Sequence, residues 1–299
     1  MISPFVLWPC VAGVGALVVG AISTRRDVAG ARGLDKLVAF GPVLFAAPLA
    51  VFGAEHLSGP HILMQVVPPW MPARLFWAYF VGFALVAGAL SLVLQRYVRA
   101  SAPLLASMFC LFVLMIHLPN VVANPHDRFA WAVMLRDFSF GAGALALAGT
   151  QAERWRVLTD VGRVCVAIVV IVFGVELLLH PEFAPGVPLP KRTPAWVPVP
   201  ALWGYLTGAI FLAGGGAMLA NKKARVGATA VGLALMVLTV FLYLPILTMA
   251  VTTPDLVEGV NYVFDTMLAA GTVLLVAGAM QARPMPLEVP VLTTRTTPD

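Results

Sequence analysis

Long apolar runs separated by short polar segments organise the 299-residue chain. Most runs are about 20 residues long, which is the length a helix needs to cross a bilayer core about 30 Å thick. Barrel strands would give short runs of alternating polarity instead. The pattern predicts an all-α integral membrane protein with about nine transmembrane helices. These are predicted near residues 3–22, 37–57, 75–95, 102–123, 129–149, 161–179, 201–220, 226–250 and 260–281.

Composition supports a lipid environment. Hydrophobic residues make up 60% of the chain and charged residues 11%, with a mean hydropathy of +0.92. Soluble domains are about a quarter charged. The net charge of +5 does not indicate a nucleic-acid partner, because the basic residues lie in short loops between apolar runs. Three single cysteines without a C-x-x-C motif give no signature of a metal cluster or a thiol relay.

The basic residues predict the orientation in the cell (inner) membrane. One alternating set of loops, with the C-terminal tail, holds 14 of the 19 Lys and Arg residues. The positive-inside rule makes this set cytoplasmic. The N-terminus is then outside and the C-terminus inside, as an odd number of spans requires. The first span is not predicted to be a cleavable signal, because its basic residues follow the apolar run rather than precede it.

A repeat divides the chain into two units of four spans. The segment "FGAEHL" at 52–57 returns as "FGVELL" at 173–178, and "PPWMPARLFWAYFVG" from 68 aligns with "PAWVPVPALWGYLTG" from 194. An even number of spans per unit makes the units parallel, related by a pseudo-two-fold axis along the membrane normal. The predicted domains are an extra helix and loop at 1–36, units at 37–157 and 158–282, and a cytoplasmic tail at 283–299.

The motifs of each unit resemble the DoxX-like family of four-helix membrane proteins, here in tandem over about 37–281. Each unit contains F-G-x-E, an outer loop with P-x-W-x-P, W-x-Y-x-x-G, a helix ending in L-P, and an acid-bearing helix. The resemblance implies a four-helix bundle per unit and a link to membrane redox chemistry. Quinone is the cofactor it implies, and a redox or membrane protein is the partner. The chain departs from thiol-oxidising relatives because it lacks a cysteine pair.

Five ionisable side chains are predicted to lie within the outer half of the membrane: Glu55, His117, Asp137, Glu176 and Asp265. A charge at mid-membrane costs at least about 2.5–3.5 kcal/mol, so these groups should face a bundle interior or a cavity. Asp265 is expected about 6 residues, or about 9 Å, inside its helix. The sequence leaves open whether the acids form a structural network or a ligand or proton-exchange site.

In the structural interpretation, Glu55 accepts hydrogen bonds from loop amides or Tyr79, and Arg136 pairs with Asp137 or Glu55. The functional interpretation is favoured by an asymmetry between the units. The first unit has His56, His117 and Arg136 where the second has Leu177, Tyr243 and Phe264. His56 and His117 also allow axial ligation of a haem as an alternative. No metal site is predicted, because no histidine pair has i,i+3 or i,i+4 spacing.

Three functions remain open, and the sequence does not decide whether the protein is an enzyme. The first is a redox-associated subunit that binds quinone or another apolar ligand in an outer-half pocket. The second is a non-catalytic scaffold or assembly partner in the lipid bilayer, and the third is a small-solute transporter. The candidate residues for ligand binding or proton exchange are Glu55, His56, Trp77, Tyr79, His117, Arg136, Asp137, Glu176 and Asp265.

Overall fold

The computed structural model describes residues 3–186 and 191–281; the predicted tail at 283–299 lies outside these ranges. Within them the chain forms helices and no β-strand, and nine helices are long and apolar enough to cross a membrane. The protein is therefore an all-α, multi-pass membrane protein. These helices are α1 Pro4–Ser23, α2 Asp35–Ser58, α3 Arg74–Val93, α4 Val98–Ala123, α5 Arg128–Gly149, α6 Arg156–Leu179, α7 Pro200–Leu219, α8 Ala224–Thr248 and α9 Thr253–Gln281.

All nine predicted spans are present, and the largest difference is at α9. This helix begins at Thr253 rather than near 260. The apolar pattern missed its first two turns because they contain Asp255 and Glu258 and have little apolar character. Hydropathy marks only the part of a helix that lipid or protein covers. Asp265 therefore lies 12 residues, or about 18 Å, from the start of its helix rather than about 9 Å.

The two units have matching irregularities at matching positions. α4 and α8 each contain one turn of π-helix, at Val113–His117 and Thr239–Tyr243. Each π turn stands just before the L-P dipeptide of its unit. Because proline cannot donate a backbone hydrogen bond, the regular ladder is interrupted there, and a wider turn accommodates the interruption.

The turn before the third helix is also shared. Ala73 and Val199 precede α3 and α7 with left-handed φ angles of 52° and 47°. In both turns an indole donates to a proline carbonyl, from Trp77 to Pro72 and from Trp203 to Pro198, each at 3.0 Å. The repeated Pro72–Trp77 and Pro198–Trp203 pairs therefore hold the same defined turn in both units.

The glycines of the repeated motifs allow two close helix crossings. A Cβ atom at Gly53 on α2 would lie 3.0 Å from the carbonyl oxygen of Gly82 on α3. The equivalent distance is 3.1 Å from Gly174 on α6 to Gly208 on α7. Without a hydrophobic drive between helices in lipid, such close backbone contact supplies much of the packing energy. F-G-x-E and W-x-Y-x-x-G thus mark the first helix pair of each unit.

Helix α9 joins the two units. It packs against α2 and α5 of the first unit as well as α8 of its own. Gly271 shows how closely: a Cβ atom there would clash with the backbone nitrogen of Phe45 on α2. In the first unit α3 and α4 touch only weakly, whereas α7 and α8 of the second pack closely. The first unit is consequently more open, and a helix of the second unit forms one of its walls.

Candidate functional site

A cavity of about 970 Å³ lies in the first unit. Helices α2, α3, α4, α5 and α9 line it, together with the start of α1 and the segment 62–67 that follows α2. Most of its surface is apolar. The principal apolar side chains of α3 and α4 are Trp77, Val81, Leu85, Phe109, Phe112 and Ile116.

The segment at 62–67 is held over the cavity by one arginine. Arg74, the first residue of α3, donates to the carbonyl oxygens of Val67 at 3.0 Å, Met64 at 2.8 Å and Gln65 at 3.1 Å. At the same end, the ring of Phe5 on α1 fills the space beside Gly59, where a Cβ atom would clash with it. The extra first helix therefore contributes directly to the cavity wall.

A chain of charged groups crosses one side of the cavity. Arg136 donates from Nε to Asp137 at 3.1 Å and from Nη1 to Asp265 at 2.6 Å. His117 Nε2 lies 2.9 Å from the other carboxylate oxygen of Asp137. All four side chains are at most 17% exposed. Because Asp265 belongs to α9, the guanidinium of Arg136 bridges the two units.

Glu55 differs from the other acids of the cavity. Its residue is 7% exposed, it lines the cavity, and it has no hydrogen-bond or ion-pair partner among the described residues. It is also within electrostatic range of Asp265, another acid. A buried carboxyl group without a partner is costly. A proton, water in the cavity or a bound ligand can complete its environment.

His56, the next residue, is oriented by its own helix. Its Nδ1 atom lies 2.8 Å from the carbonyl oxygen of Phe52. Since a carbonyl only accepts, Nδ1 carries the hydrogen, and Nε2 of the neutral ring keeps its lone pair. The side chain lines the cavity, and Nε2 has no partner among the described residues. Glu55 and His56 thus present free polar groups to the cavity.

The structure brings most of the predicted site residues together at this cavity. Seven of the nine line it: Glu55, His56, Trp77, His117, Arg136, Asp137 and Asp265. Arg136 pairs with Asp137, as the structural interpretation expected, but its second partner is Asp265 rather than Glu55.

Tyr79 and Glu176 lie away from the cavity. Tyr79 is 39% exposed, because α3 presents Trp77, Ala78, Val81 and Leu85 to the cavity and turns Tyr79 outward. It is therefore not the partner of Glu55. Glu176 forms an ion pair with Arg128 at the start of α5.

Several cavity residues were not anticipated from the sequence. Glu258, Asn261 and Tyr262 line it beside Asp265, along one face of α9. Glu258 accepts from Lys191 at 2.6 Å and from Tyr262 at 2.9 Å. The helical spacing of these polar residues was a usable signal. The prediction missed it because it placed Glu258 in a loop before the last span.

The corresponding region of the second unit is filled by protein. Tyr243, the counterpart of His117, is 1% exposed and donates to the carbonyl of Pro185 at 2.9 Å. Ala184 and Leu177 are 1% and 0% exposed. The guanidinium of Arg128 neutralises Glu176 and lies 4.3 Å from the ring centre of Phe183. The segment after α6 thus packs inward and leaves Glu176 with a partner.

The polar groups of the cavity suit hydrogen bonding more readily than metal binding. Across residues 3–186 and 191–281, no three His, Cys, Asp or Glu side chains form a group able to hold a metal ion. Comparison with family models finds no match, and neither curated proteins nor solved structures yield a significant one. The resemblance to DoxX-like proteins stays a prediction.

Proposed function

We propose that this protein is a redox-associated membrane subunit whose cavity binds the head group of a quinone or a similar apolar ligand. Glu55 carries the proposal: it is a buried, unpartnered carboxyl group at a cavity of about 970 Å³. A head group that hydrogen-bonds to Glu55 would offset the cost of burying it, which is about 1–3 kcal/mol for a polar group left unpaired.

The residues present fit a quinone, the cofactor that the resemblance implies. Ligand sites are mostly apolar, with volumes of about 300–1,000 Å³ and a few convergent polar groups. Trp77 and Phe109 provide apolar surface for a ring and its tail, and Glu55 and His56 provide polar groups for the head. A bound quinone supplies two-electron, two-proton redox chemistry. Glu55 and His117 are the side chains that can hold a proton beside it.

The residues that line the cavity resemble those of a quinone site, but they do not themselves carry electrons to or from a bound quinone. A redox protein is the class of partner that would supply or remove them at the membrane surface. The distribution of Lys and Arg supports an orientation with the cavity in the outer half of the cell membrane and the N-terminus outside. Labelling of single cysteines introduced at Ser101 and Asn124, at opposite ends of α4, tests this orientation in intact cells.

Quinone binding is tested directly on the purified protein. We expect quinone to be extracted from the protein purified in native lipid, and a decyl-substituted benzoquinone to raise the thermal unfolding temperature. Glu55→Leu, which removes the hydrogen-bonding oxygens from the cavity, should weaken this effect. Glu176→Leu is the matched control, because it changes the equivalent acid outside the cavity. A wild-type protein that neither retains quinone nor responds to added quinone contradicts the proposal.

The ion-pair network supports a second candidate, a non-catalytic scaffold. Arg136 links α5 to α9 and so holds the two units together, which is a structural task. If holding the units together is the main role of the site, Glu55→Gln combined with Asp137→Asn will reduce the folded yield of the protein. The complex that the protein supports as a scaffold will keep its function. Loss of that function at normal folded yield favours the ligand site instead.

A further inference from the structure

The free polar groups of the cavity differ in their capacity to donate and accept hydrogen bonds. His56 uses its one N–H group on the carbonyl of Phe52, at 2.8 Å, so its Nε2 atom can only accept from a ligand. Glu55 can accept in either protonation state and can donate only when protonated. Together these two residues give the cavity at least one acceptor that no described residue satisfies.

The charged donors near the cavity direct hydrogen bonds to its acids. Arg136 directs Nε and Nη1 to Asp137 and Asp265, at 3.1 and 2.6 Å. His117 directs Nε2 to Asp137 at 2.9 Å, and Lys191 directs its ammonium group to Glu258 at 2.6 Å. Arg136 keeps further N–H groups and Asn261 contributes an amide to the lining, so the cavity can also donate to a ligand. His56 Nε2, in contrast, can be paired only by a ligand that donates.

From this inventory we propose that the cavity prefers a ligand with hydroxyl donors, so that it binds a hydroquinone more tightly than the matching quinone, with His56 as a specificity-determining residue. The inference rests on the proposed function. A hydroquinone hydroxyl both donates and accepts, so it can pair with His56 Nε2 and with Glu55 in either protonation state. A quinone carbonyl only accepts, so it cannot pair with His56 Nε2.

The second unit indicates that the fold does not require a histidine at this position. Its counterpart is Leu177, which is fully buried at the equivalent place on α6. The neighbouring glycine packs in the same way in both units, with Gly53 against Gly82 and Gly174 against Gly208. His56→Leu therefore copies a residue that this helix pair already accepts, and it removes the acceptor together with the Nδ1–H bond to Phe52.

The experiment compares three probes on the full-length protein in lipid nanodiscs under anaerobic conditions. They are a decyl-substituted benzoquinone, its hydroquinone, and the dimethyl ether of that hydroquinone, which keeps the oxygens but cannot donate. Isothermal titration should give a hydroquinone affinity about tenfold higher than the quinone affinity, the effect of one added hydrogen bond in a buried site. The dimethyl ether should bind no more tightly than the quinone.

Two variants locate the source of the preference. His56→Leu should bring the two affinities to within about threefold, by weakening the hydroquinone. Glu55→Gln, whose amide can donate to a carbonyl, should reduce the preference by strengthening the quinone. Glu176→Gln is the control and should leave the preference unchanged. Each variant is checked for helicity and monodispersity before titration, and if Glu55→Gln does not fold, His56→Leu decides.

The outcomes separate this inference from the proposed function. If wild type binds the quinone as tightly as the hydroquinone, the function stands and the donor preference is wrong. The preference is also wrong if the dimethyl ether matches the hydroquinone, or if His56→Leu retains the full ratio. If none of the three probes binds, the proposed function fails, and the inference fails with it.

Discussion

The two units have the same backbone frame but different interiors. Both contain a π turn before an L-P dipeptide, a left-handed residue before the third helix, and a close glycine crossing in their first helix pair. In the first unit this frame surrounds a cavity with Glu55 unpartnered. In the second, Tyr243 and the segment around Ala184 fill the interior, and Arg128 neutralises the equivalent acid. One frame therefore supports an open and a filled interior, depending on a few side chains and one loop.

The largest expected difference between the units concerns the arginine that neutralises the acids of each. Arg136→Met leaves Asp137 and Asp265 buried without their cation and should lower the free energy of unfolding by about 3–5 kcal/mol. Arg128→Met in the second unit should cost about 1 kcal/mol, because its ion pair with Glu176 is more exposed, at 29% and 24%. Denaturation in detergent followed by circular dichroism measures both. Equal losses would mean that the two networks are equally structural.

The shared glycine crossings come next. Gly82→Leu and Gly208→Leu should each lower the free energy of unfolding by about 1–3 kcal/mol, because either side chain would overlap the opposing helix. Gly216→Leu, on the same helix as Gly208, meets nothing within 4 Å and should be neutral or slightly stabilising. Thermal unfolding in detergent compares the three. A large loss of stability from only one of Gly82→Leu and Gly208→Leu would contradict a backbone frame common to both units.

Tyr243 tests the filled interior of the second unit. Tyr243→Phe keeps the ring and removes the hydroxyl that donates to Pro185, leaving a buried carbonyl unpaired at a cost of about 1–2 kcal/mol. We also expect faster proteolysis of the segment after α6, which this hydrogen bond holds inward. Unchanged proteolysis would show that packing alone, through residues such as Ala184, keeps the segment in place.

The smallest expected effect is at the shared turn. Val199 is β-branched and 66% exposed in the left-handed region, with φ 47°. Val199→Gly should raise the free energy of unfolding by about 0.5 kcal/mol, because relief of the strain exceeds the entropy cost of glycine. Ala73→Gly, at the same turn in the first unit, should be close to neutral. Destabilisation by Val199→Gly would indicate that the valine side chain makes a contact the turn needs.

Much of the fold was predictable because its signals are local. Apolar runs predicted nine helices. The prediction differed from the structure at the start of α9, where the first turns are polar. The grouping of Glu55, His56, His117, Arg136 and Asp137 was anticipated from their shared depth and their concentration in one unit. The partner of Arg136 was not, because nothing local to Asp265 indicates that α9 crosses to the first unit.

The sequence by itself determined the helical membrane architecture, the internal repetition and the acids held at matching positions in both units. Lipid thickness and backbone hydrogen bonding leave a chain of this hydropathy few alternatives. Only the tertiary structure decided that Asp265 completes a network in the other unit, that Tyr79 faces outward and that one interior stays open. Those outcomes depend on how helix surfaces fit together. Lipid is as apolar as the helices, so the hydrophobic effect does not favour one helix arrangement over another.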